Sequence, residues 1–485
     1  SHKVKEVPRY TQESNLSSQF SFLAEVPACG YKVYYIKTDK SPREFRMDEL
    51  DFDLDNYRIE NQFYKIIVSK SGKIKLIDKE TDEVYEDLCF IEDVGDWGDE
   101  YDYSGPKDNQ MDIKYTSEDA DILSLTQRIN GPTQKTLELS LRLKLPSALT
   151  EDRYKRENVL VDNYFKIYLS IYDNIKRVDF RIEVQNNSRD HRLRVLFPSK
   201  LVASKIFVDG HFYVIPREIS LPNGDNWVQK PLPTNHQKDF LALHEDNTSF
   251  SITNKGLPEY EAIMNEDGTI TIAITLLRCV EWLSRDGFET RGGHAGPQLK
   301  TPGAQCIGNH IFELALLTVS NKNGWMDSLI HKKAKEFNNP LLPVFPTMAA
   351  TPLRFMDKVL VNPTGIMSIY VGNNESNLKR YLPEELSFLE LENDKVMLSI
   401  LKKADNDGDL IIRVYNLSEN VETTSLKLFN KLIIKNAQLV NFLEESPKNK
   451  IKANIDAIEE NKLFLTLKPH VIATLKLEIE CKVEK

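Results

Sequence analysis

Short runs of alternating apolar and polar residues dominate the chain, and they predict strands rather than helices. In the stretch 177–183 the polarity changes at every position, as expected for a strand with one wet and one buried face. The runs 63–68 and 73–77 are separated by a turn containing Gly72, which predicts a hairpin. Further runs of this kind are 122–129, 137–145, 164–172, 178–184 and 192–197. Because no helical pattern interrupts them, residues up to about 320 are predicted to form one large antiparallel sandwich.

One segment, 324–337, has the apolar spacing of a helix and stops at the sequence Asn338-Asn339-Pro340. Prolines recur at 343 and 346, and this spacing excludes a helix or a central strand, so a connector between domains is predicted here. From about residue 351 the pattern is again that of short strands, at 396–401, 410–415, 425–429, 463–467 and 471–477. The acidic stretch 405–409 lacks the closing Glu and flanking helices of a calcium loop, so it predicts a hairpin turn.

Length and charge narrow the class of protein. A chain of 485 residues suggests two to four domains. The net charge is −10 and the basic residues are scattered, so nucleic acid is not expected as a partner. No apolar run approaches the roughly 18 residues of a membrane span, and no signal peptide is evident, so we expect a soluble, cytoplasmic protein. The five cysteines include no CxxC pair, which fits a reducing compartment; most are expected to be small buried apolar residues.

A glycine-rich segment is the most distinctive stretch of the chain. Five of the 20 glycines fall within 284–303, around Arg291, Asp286 and His294, and β-like runs flank the segment at 269–277 and 310–318. Two interpretations remain open at this point. The segment is either a polar loop that faces a ligand or a structural crossover whose glycines serve tight turns.

A second candidate is the run 92–103, which holds six carboxylates and three aromatic residues in twelve positions. Sugars are bound by this combination, because carboxylates accept hydroxyl hydrogen bonds and aromatic faces pack on the C–H surface of a pyranose. The alternative is a solvated acidic loop.

No metal or catalytic set is evident. The nine histidines are scattered singly, and no three or four of them have metal-ligand spacing. His294 and His310 bracket the glycine-rich segment and are interpreted as structural. We therefore predict no catalytic residue and no metal ligand in this chain.

Three phrases resemble glycoside hydrolase family 38, the retaining, zinc-dependent α-mannosidases. They are the Arg-Gly-Gly at 291–293 with its Pro-Gly-Ala-Gln-Cys sequel at 302–306, the acidic–aromatic run 96–104, and the sequence at 25–34. Bacterial members similar to mannosylglycerate hydrolases carry close counterparts in the same order. The resemblance extends over essentially the whole chain, but these motifs belong to the C-terminal domains and do not perform the chemistry.

The resemblance implies an all-β chain. Residues 56–338 are expected to form a large antiparallel supersandwich of the galactose-mutarotase type, and 339–485 a linker and a smaller C-terminal β-sandwich. Residues 1–55 are expected to be the tail of a small β-domain that begins upstream. The nucleophile, the acid/base and the zinc are expected on an N-terminal catalytic domain that these residues do not include.

The resemblance also suggests a role for the two loops. Tyr101 and Arg291 align with residues that reach into a mannose pocket, and we predict that Asp99 and Asp286 bind substrate with them. The expected partners are the catalytic domain and an α-mannoside, with a homo-oligomer possible and no membrane involved. Isolated, the fragment is expected to be inactive. A free-standing carbohydrate-binding protein and a purely structural scaffold are the alternatives.

Overall fold

The protein is described from a computed structural model. The described residues are 5–7, 19–35, 56–105, 114–153, 155–288, 290–321, 323–344, 367–368 and 383–482. The predicted polar start at 1–15, the predicted domain join near residue 55, and the end of the proline-rich connector lie outside these ranges. Within them, no helix is both long and apolar enough to cross a membrane.

Antiparallel strands make up most of the described structure, which confirms the predicted all-β class. In chain order the strands are β1 (Lys5–Val7), β2 (Gln19–Ser21), β3 (Gly30–Lys32), β4 (Asn56–Glu60), β5 (Tyr64–Ser69), β6 (Ile74–Asp78), β7 (Val84–Tyr85), β8 (Phe90–Gly95), β9 (Tyr115–Thr116), β10 (Asp121–Asn130), β11 (Gln134–Pro146), β12 (Leu160–Tyr172), β13 (Ile175–Asn186), β14 (His191–Pro198), β15 (Lys205–Asp209) and β16 (Val214–Glu218). They continue with β17 (Thr234–His236), β18 (Phe240–Glu245), β19 (Thr248–Asn254), β20 (Glu259–Met264), β21 (Ile270–Cys279), β22 (Gly308–Ser320), β23 (Met367–Ser368), β24 (Glu385–Ser387), β25 (Leu389–Leu391), β26 (Val396–Lys403), β27 (Leu410–Asn416), β28 (Glu422–Leu428), β29 (Leu432–Val440), β30 (Ala453–Glu459), β31 (Lys462–Leu467) and β32 (Ile472–Cys481). The described helices are α1 (Ile330–Asn338) and two 3₁₀ turns, Ser117–Asp119 and Pro302–Gln305.

The chain divides into two compact units. The larger comprises Arg46–Gly210 and Ile215–Leu341, and the smaller comprises Ser1–Phe45, His211–Val214 and Leu342–Lys485. The domain boundaries expected from the sequence remain a prediction.

Three sheets form the larger unit. One has nine strands in the order β10-β11-β12-β13-β22-β19-β18-β15-β16, one has six in the order β17-β20-β21-β14-β8-β9, and one has four in the order β4-β5-β6-β7. The sheets share one apolar core. The rings of Phe180 in β13 and Phe197 in β14 pack edge to face with their centroids 5.3 Å apart. The nine-stranded and six-stranded sheets therefore pack against each other. Tyr85 of β7 contacts Phe250 of β19 at 5.2 Å and brings the four-stranded sheet onto the same core.

The alternating sequence explains why the strands have one face in the core and one face toward solvent. Along β13 the residues at Val178, Phe180, Ile182 and Val184 are buried, while those between them remain partly exposed. The predicted hairpin at Gly72 forms between β5 and β6, and Gly72 has the positive φ of 80° that a glycine adopts without steric cost.

The smaller unit contains two described four-stranded sheets, β25-β28-β31-β30 and β26-β27-β32-β29, whose leucines and isoleucines form a second core. The acidic stretch 405–409 is the turn between β26 and β27, as predicted, because Lys403 pairs with Leu410 on either side of it.

The predicted helix at 324–337 is shorter than expected. Helix α1 begins at Ile330, and the residues before it form turns. Gly324 has a φ of 95° and Leu329 a φ of 55°, and these left-handed conformations are incompatible with continuing an α-helix toward the N-terminus. The predicted end of the helix agrees with the structure to within one residue.

Candidate functional site

The connection 280–307, which contains the glycine-rich segment 284–303, joins β21 of the six-stranded sheet to β22 of the nine-stranded sheet. Its two ends run antiparallel, since the amide of Thr301 donates to the carbonyl of Glu281 at 2.7 Å and that of Leu283 donates to Leu299 at 2.9 Å. We call 280–283 and 299–306 the stem, and 284–298 the tip. The segment is therefore a crossover between sheets that also carries an irregular, polar tip.

Backbone and hydroxyl contacts fix the tip. Ser284 is fully buried, and its Oγ accepts hydrogen bonds from the amides of Ala295 at 3.0 Å and Gly296 at 3.1 Å. Arg291 forms an antiparallel bridge with Gln229, which ties the tip to a neighbouring loop. The tip thus has a defined shape despite its glycines.

The backbone of the acidic turn 96–104 is stabilised by two of its own carboxylates, those of Asp96 and Asp99. Asp96 Oδ1 accepts the amide of Gly98 at 2.9 Å, and Asp99 Oδ1 accepts the amides of Tyr101 at 3.0 Å and Asp102 at 2.9 Å. A Cβ at position 98 would lie 2.0 Å from the carbonyl oxygen of Asp102, so only glycine fits there. Two of the six carboxylates are therefore used to shape the turn, which the sequence alone did not reveal.

Arg291 joins the tip to this turn. Its Nη2 donates to Asp99 Oδ2 at 2.6 Å and its Nη1 lies 3.0 Å from Asp102 Oδ2. The other contacts are to backbone, with Nη2 donating to the carbonyl of Arg285 at 3.3 Å and Nε to that of Gly293 at 3.2 Å. Arg291 is 8% exposed, Asp102 4% and Asp99 0%. This arrangement is a buried ion-pair cluster, which we call the arginine clamp.

A second arginine supports the same turn from β21. The Nε and Nη2 of Arg278 donate to Asp96 Oδ2 at 2.9 and 2.7 Å, and Nη2 also donates to the carbonyls of Asp99 and Asp102. Sequence reasoning missed Arg278. A signal was available, because Arg278 is the only charged residue of β21.

The charge of Asp102 is only partly compensated within the clamp. Burial raises its pKa, the charge of Arg291 opposes this, and repulsion from Asp99 adds to it. The amide of Gln229 donates to both oxygens of Asp102, at 3.0 and 3.1 Å, and supplies part of the missing stabilisation. The acidic turn thus places three buried acids, Asp96, Asp99 and Asp102, against two arginines, Arg278 and Arg291.

The accessible face of the site is formed by Tyr101 and Asp286. Tyr101 is 53% exposed and lies against Gly296, where a Cβ would be 2.9 Å from the phenol oxygen. The side chain of Asp286 is 69% exposed, and its carboxylate lies 3.8 Å from Nε2 of His294. The exposed phenol can donate a hydrogen bond to a hydroxyl group or accept one, and the exposed carboxylate can accept one. The Tyr101 ring also offers a face for a sugar.

The structure brings three of the four predicted substrate residues together, namely Arg291, Asp99 and Tyr101. Asp286 lies in the same tip, outside the arginine clamp. Asp99 has no exposed surface, so in this geometry its contacts are all within the protein.

No metal centre is evident among the residues described, since no three or more of their His, Cys, Asp and Glu side chains are placed to hold an ion. Nε2 of His310 donates to the carbonyl of Cys306, 2.7 Å away, which fits the structural role predicted for it. The carboxylates of the site are engaged with arginines and backbone amides instead.

The fold and the site together define a β-sandwich chain in which buried ion pairs hold a polar, partly exposed loop. Comparison with family models assigns 59–283 to "Glycosyl hydrolases family 38 C-terminal domain" and 395–475 to "Glycosyl hydrolases family 38 C-terminal beta sandwich domain". The two matches together cover more than half of the chain. The chain belongs to glycosyl hydrolase family 38, as its sequence phrases predicted.

Known relatives agree with this assignment. A protein of Halalkalibacterium halodurans named "Putative mannosylglycerate hydrolase" is 23% identical, over 97% of this chain and 47% of its own length. An alpha-mannosidase from Enterococcus faecalis V583 matches with a TM-score of 0.67 at 24% identity, over 90% of this chain and 43% of that one. A second family 38 protein from Enterococcus faecalis matches with a TM-score of 0.66 at 23% identity, over 90% and 45%. These two likenesses show the shared fold, and the chain spans about half the length of the proteins it matches.

Proposed function

We propose that this chain is the C-terminal region of a retaining, zinc-dependent α-mannosidase that hydrolyses terminal α-mannosides. The observation that carries the proposal is the pair of family matches, because both describe C-terminal domains and they occur in order along the chain. The curated relative, about twice as long, is named for the hydrolysis of a mannoside, which supports the same substrate class.

The catalytic groups are proposed to lie in the rest of the protein. A retaining glycosidase needs two carboxyl groups about 5–5.5 Å apart, one as nucleophile and one as acid/base. In the site described, Asp96, Asp99 and Asp102 are buried and paired, so none of them is free to take either part. We assign no catalytic residue to this chain.

Zinc would contribute a Lewis acid that binds sugar hydroxyls when it is present in such an enzyme. The described residues of this chain do not offer a suitable set of ligands. We propose that the zinc is held by the catalytic domain, and we assign no step on it to the residues described.

The residues of the acidic turn and of the tip have different roles in this proposal. Tyr101 and Asp286 are the exposed groups, and they are proposed to contact hydroxyls of the bound sugar or of the residue next to it. Arg291 uses most of its five N–H bonds within the protein, and it orients the tip while offering the sugar its remaining N–H. Asp99 acts on the substrate through Arg291.

The test compares the whole parent protein with the chain of residues 1–485. We expect the parent protein to hydrolyse an aryl α-mannoside, to lose this activity with a chelator, and to regain it with zinc, whereas the shorter chain alone gives no turnover. An aryl β-mannoside and an aryl α-glucoside are the matched control substrates. Chelator-sensitive turnover by the shorter chain would refute the assignment of catalysis elsewhere. Mannoside binding by calorimetry, with no hydrolysis by either protein, would favour the free-standing carbohydrate-binding protein instead.

A further inference from the structure

Two cysteines lie at the base of the loop that carries Arg291, one at each end of its stem. Cys279 is the last residue of β21, and Cys306 follows the 3₁₀ turn Pro302–Gln305. The stem brings these ends together, since the amide of Val280 lies 3.4 Å from the carbonyl of Ala304. Both cysteines carry free thiols in this structure.

The surroundings of the two thiols are shared. The side-chain amide of Asn186 donates to Cys279 Sγ at 3.5 Å and to the carbonyl of Cys306 at 3.0 Å. Cys279 is fully buried, whereas Cys306 is partly exposed. The pair therefore combines one accessible sulfur with one that solvent does not reach.

The two thiols lie close enough to change each other's acidity in opposite directions. A hydrogen bond from Cys279 lowers the pKa of Cys306 to about 6, and the nearby imidazoles of His310 and His191 act in the same direction. The same hydrogen bond, together with burial, raises the pKa of Cys279 well above its ordinary value. Cys306 is thus the thiolate of the pair at neutral pH, and the thiolate is the reactive form.

We propose that Cys279 and Cys306 are a redox modification site, where a hydroperoxide closes a reversible disulfide across the base of the arginine-bearing loop. This inference goes beyond the proposed sugar-binding role and does not depend on it. It also differs from the interpretation of the sequence, in which most of the five cysteines are small buried apolar residues.

The chemistry balances with hydrogen peroxide as the oxidant. The Cys306 thiolate attacks one peroxide oxygen and the O–O bond breaks; with one proton taken up, the products are a sulfenic acid and water. Sγ of Cys279 then attacks the sulfenic sulfur, the S–O bond breaks, and the thiol proton leaves with the oxygen as a second water. Two electrons pass from the two sulfurs to the peroxide, and a dithiol reductant such as dithiothreitol returns them.

Two of the three other cysteines provide internal controls. Cys29 is exposed, and desolvation by neighbouring atoms raises the pKa of its thiol. Cys89 is buried, and burial raises its pKa strongly. Neither combination favours rapid reaction with a peroxide at neutral pH.

The first measurement is peptide mapping of the whole 1–485 chain after hydrogen peroxide and alkylation. We expect a linked pair of peptides containing Cys279 and Cys306 in the majority of molecules, lost again after dithiothreitol, while Cys29 remains alkylated. The proposal is overturned if both cysteines remain alkylated separately while other disulfides form, or if no disulfide forms at all.

The second measurement is the pH dependence of alkylation, which separates acidity from access. The rate at Cys306 should level off above about pH 7, whereas the rate at Cys29 should still be rising at pH 8.5. Cys279→Ser should abolish the linked peptide, and Cys89→Ser should leave it unchanged. Peptide mapping and the pH dependence of alkylation both use the protein without substitutions. The proposal can therefore be refuted even if a cysteine variant fails to fold. A Cys306 rate that follows that of Cys29 at every pH would also refute it.

Discussion

Removing the charge of Arg291 should strongly destabilise the larger unit of the protein. Arg291→Met keeps most of the side-chain volume but leaves Asp99 and Asp102 buried beside each other without their shared cation. Breaking a buried ion pair costs about 3–5 kcal/mol. Three backbone amides also donate to Asp99, and Gln229 to Asp102, so we expect the lower end, about 3 kcal/mol.

The same variant should show a characteristic pH dependence. Burial already raises the pKa of Asp102 with Arg291 present, and losing the guanidinium raises it further. A folded-state pKa above the unfolded value favours folding at low pH, and this contribution is lost as the pH rises through the folded pKa. The deficit of Arg291→Met should therefore be larger at pH 8 than at pH 5.

Urea unfolding followed by tryptophan fluorescence measures both effects, because Trp97 and Trp282 lie in the acidic turn and the stem. Arg285→Met is the matched control, since it removes a half-buried arginine of the same tip that has no carboxylate within ion-pairing distance among the residues described. In the double variant with Asp99→Asn, part of the loss should be recovered. If Arg291→Met costs no more than Arg285→Met and its cost does not change with pH, the arginine clamp does not stabilise the fold and our reasoning is wrong.

Three further predictions concern the activity of the parent enzyme, the buried acid Asp209 and the glycine at position 98. In the whole parent enzyme, Arg291→Ala should lower kcat/KM for an aryl α-mannoside about ten- to a hundredfold, since a charged hydrogen bond contributes about 1.5–3 kcal/mol, and Tyr101→Phe should cost less; a wild-type kcat/KM in the folded fraction, with a lowered melting temperature, would make Arg291 purely structural. Burial raises the pKa of Asp209 from 3.8 to about 6, so Asp209→Asn should increase the free energy of unfolding by up to about 3 kcal/mol at pH 8, with the gain fading toward pH 4; a gain that is constant with pH in denaturant titrations would contradict this. Gly98→Ala should lower the melting temperature by several degrees because its Cβ would overlap a carbonyl oxygen, whereas Gly292→Ala, with open space around it, should have little effect; equal melting temperatures would count against the close approach at Gly98.

The sequence was sufficient for the fold class and for most strand positions. Alternation is a local signal, and β13 keeps it from Val178 to Val184 because one face of the strand packs on the core. The start of α1 was harder to predict from the sequence, because the positive φ values at Gly324 and Leu329 depend on how the preceding turn packs.

The candidate site was only partly predictable, for a physical reason. Composition located the acidic run and the glycine-rich segment, and the family resemblance connected Tyr101 with Arg291. The pairing of Asp99 with Arg291 spans 192 positions and that of Asp96 with Arg278 spans 182, and no local pattern carries such information. The contact between Cys279 and Cys306 was missed for a related reason, since it depends on the antiparallel stem.

The wide separation of the paired residues along the chain has a consequence for folding kinetics. Contacts between distant positions form only after the entropy of closing a long loop has been overcome, so chains rich in them fold slowly. During synthesis, the acidic turn emerges long before Arg278 and Arg291 do. Its three aspartates therefore have no arginine partners until those residues have been made. Until then they are solvated and mutually repulsive. The arginine clamp should therefore assemble in the last stages of folding, and a nascent chain that stops before residue 291 should still lack it.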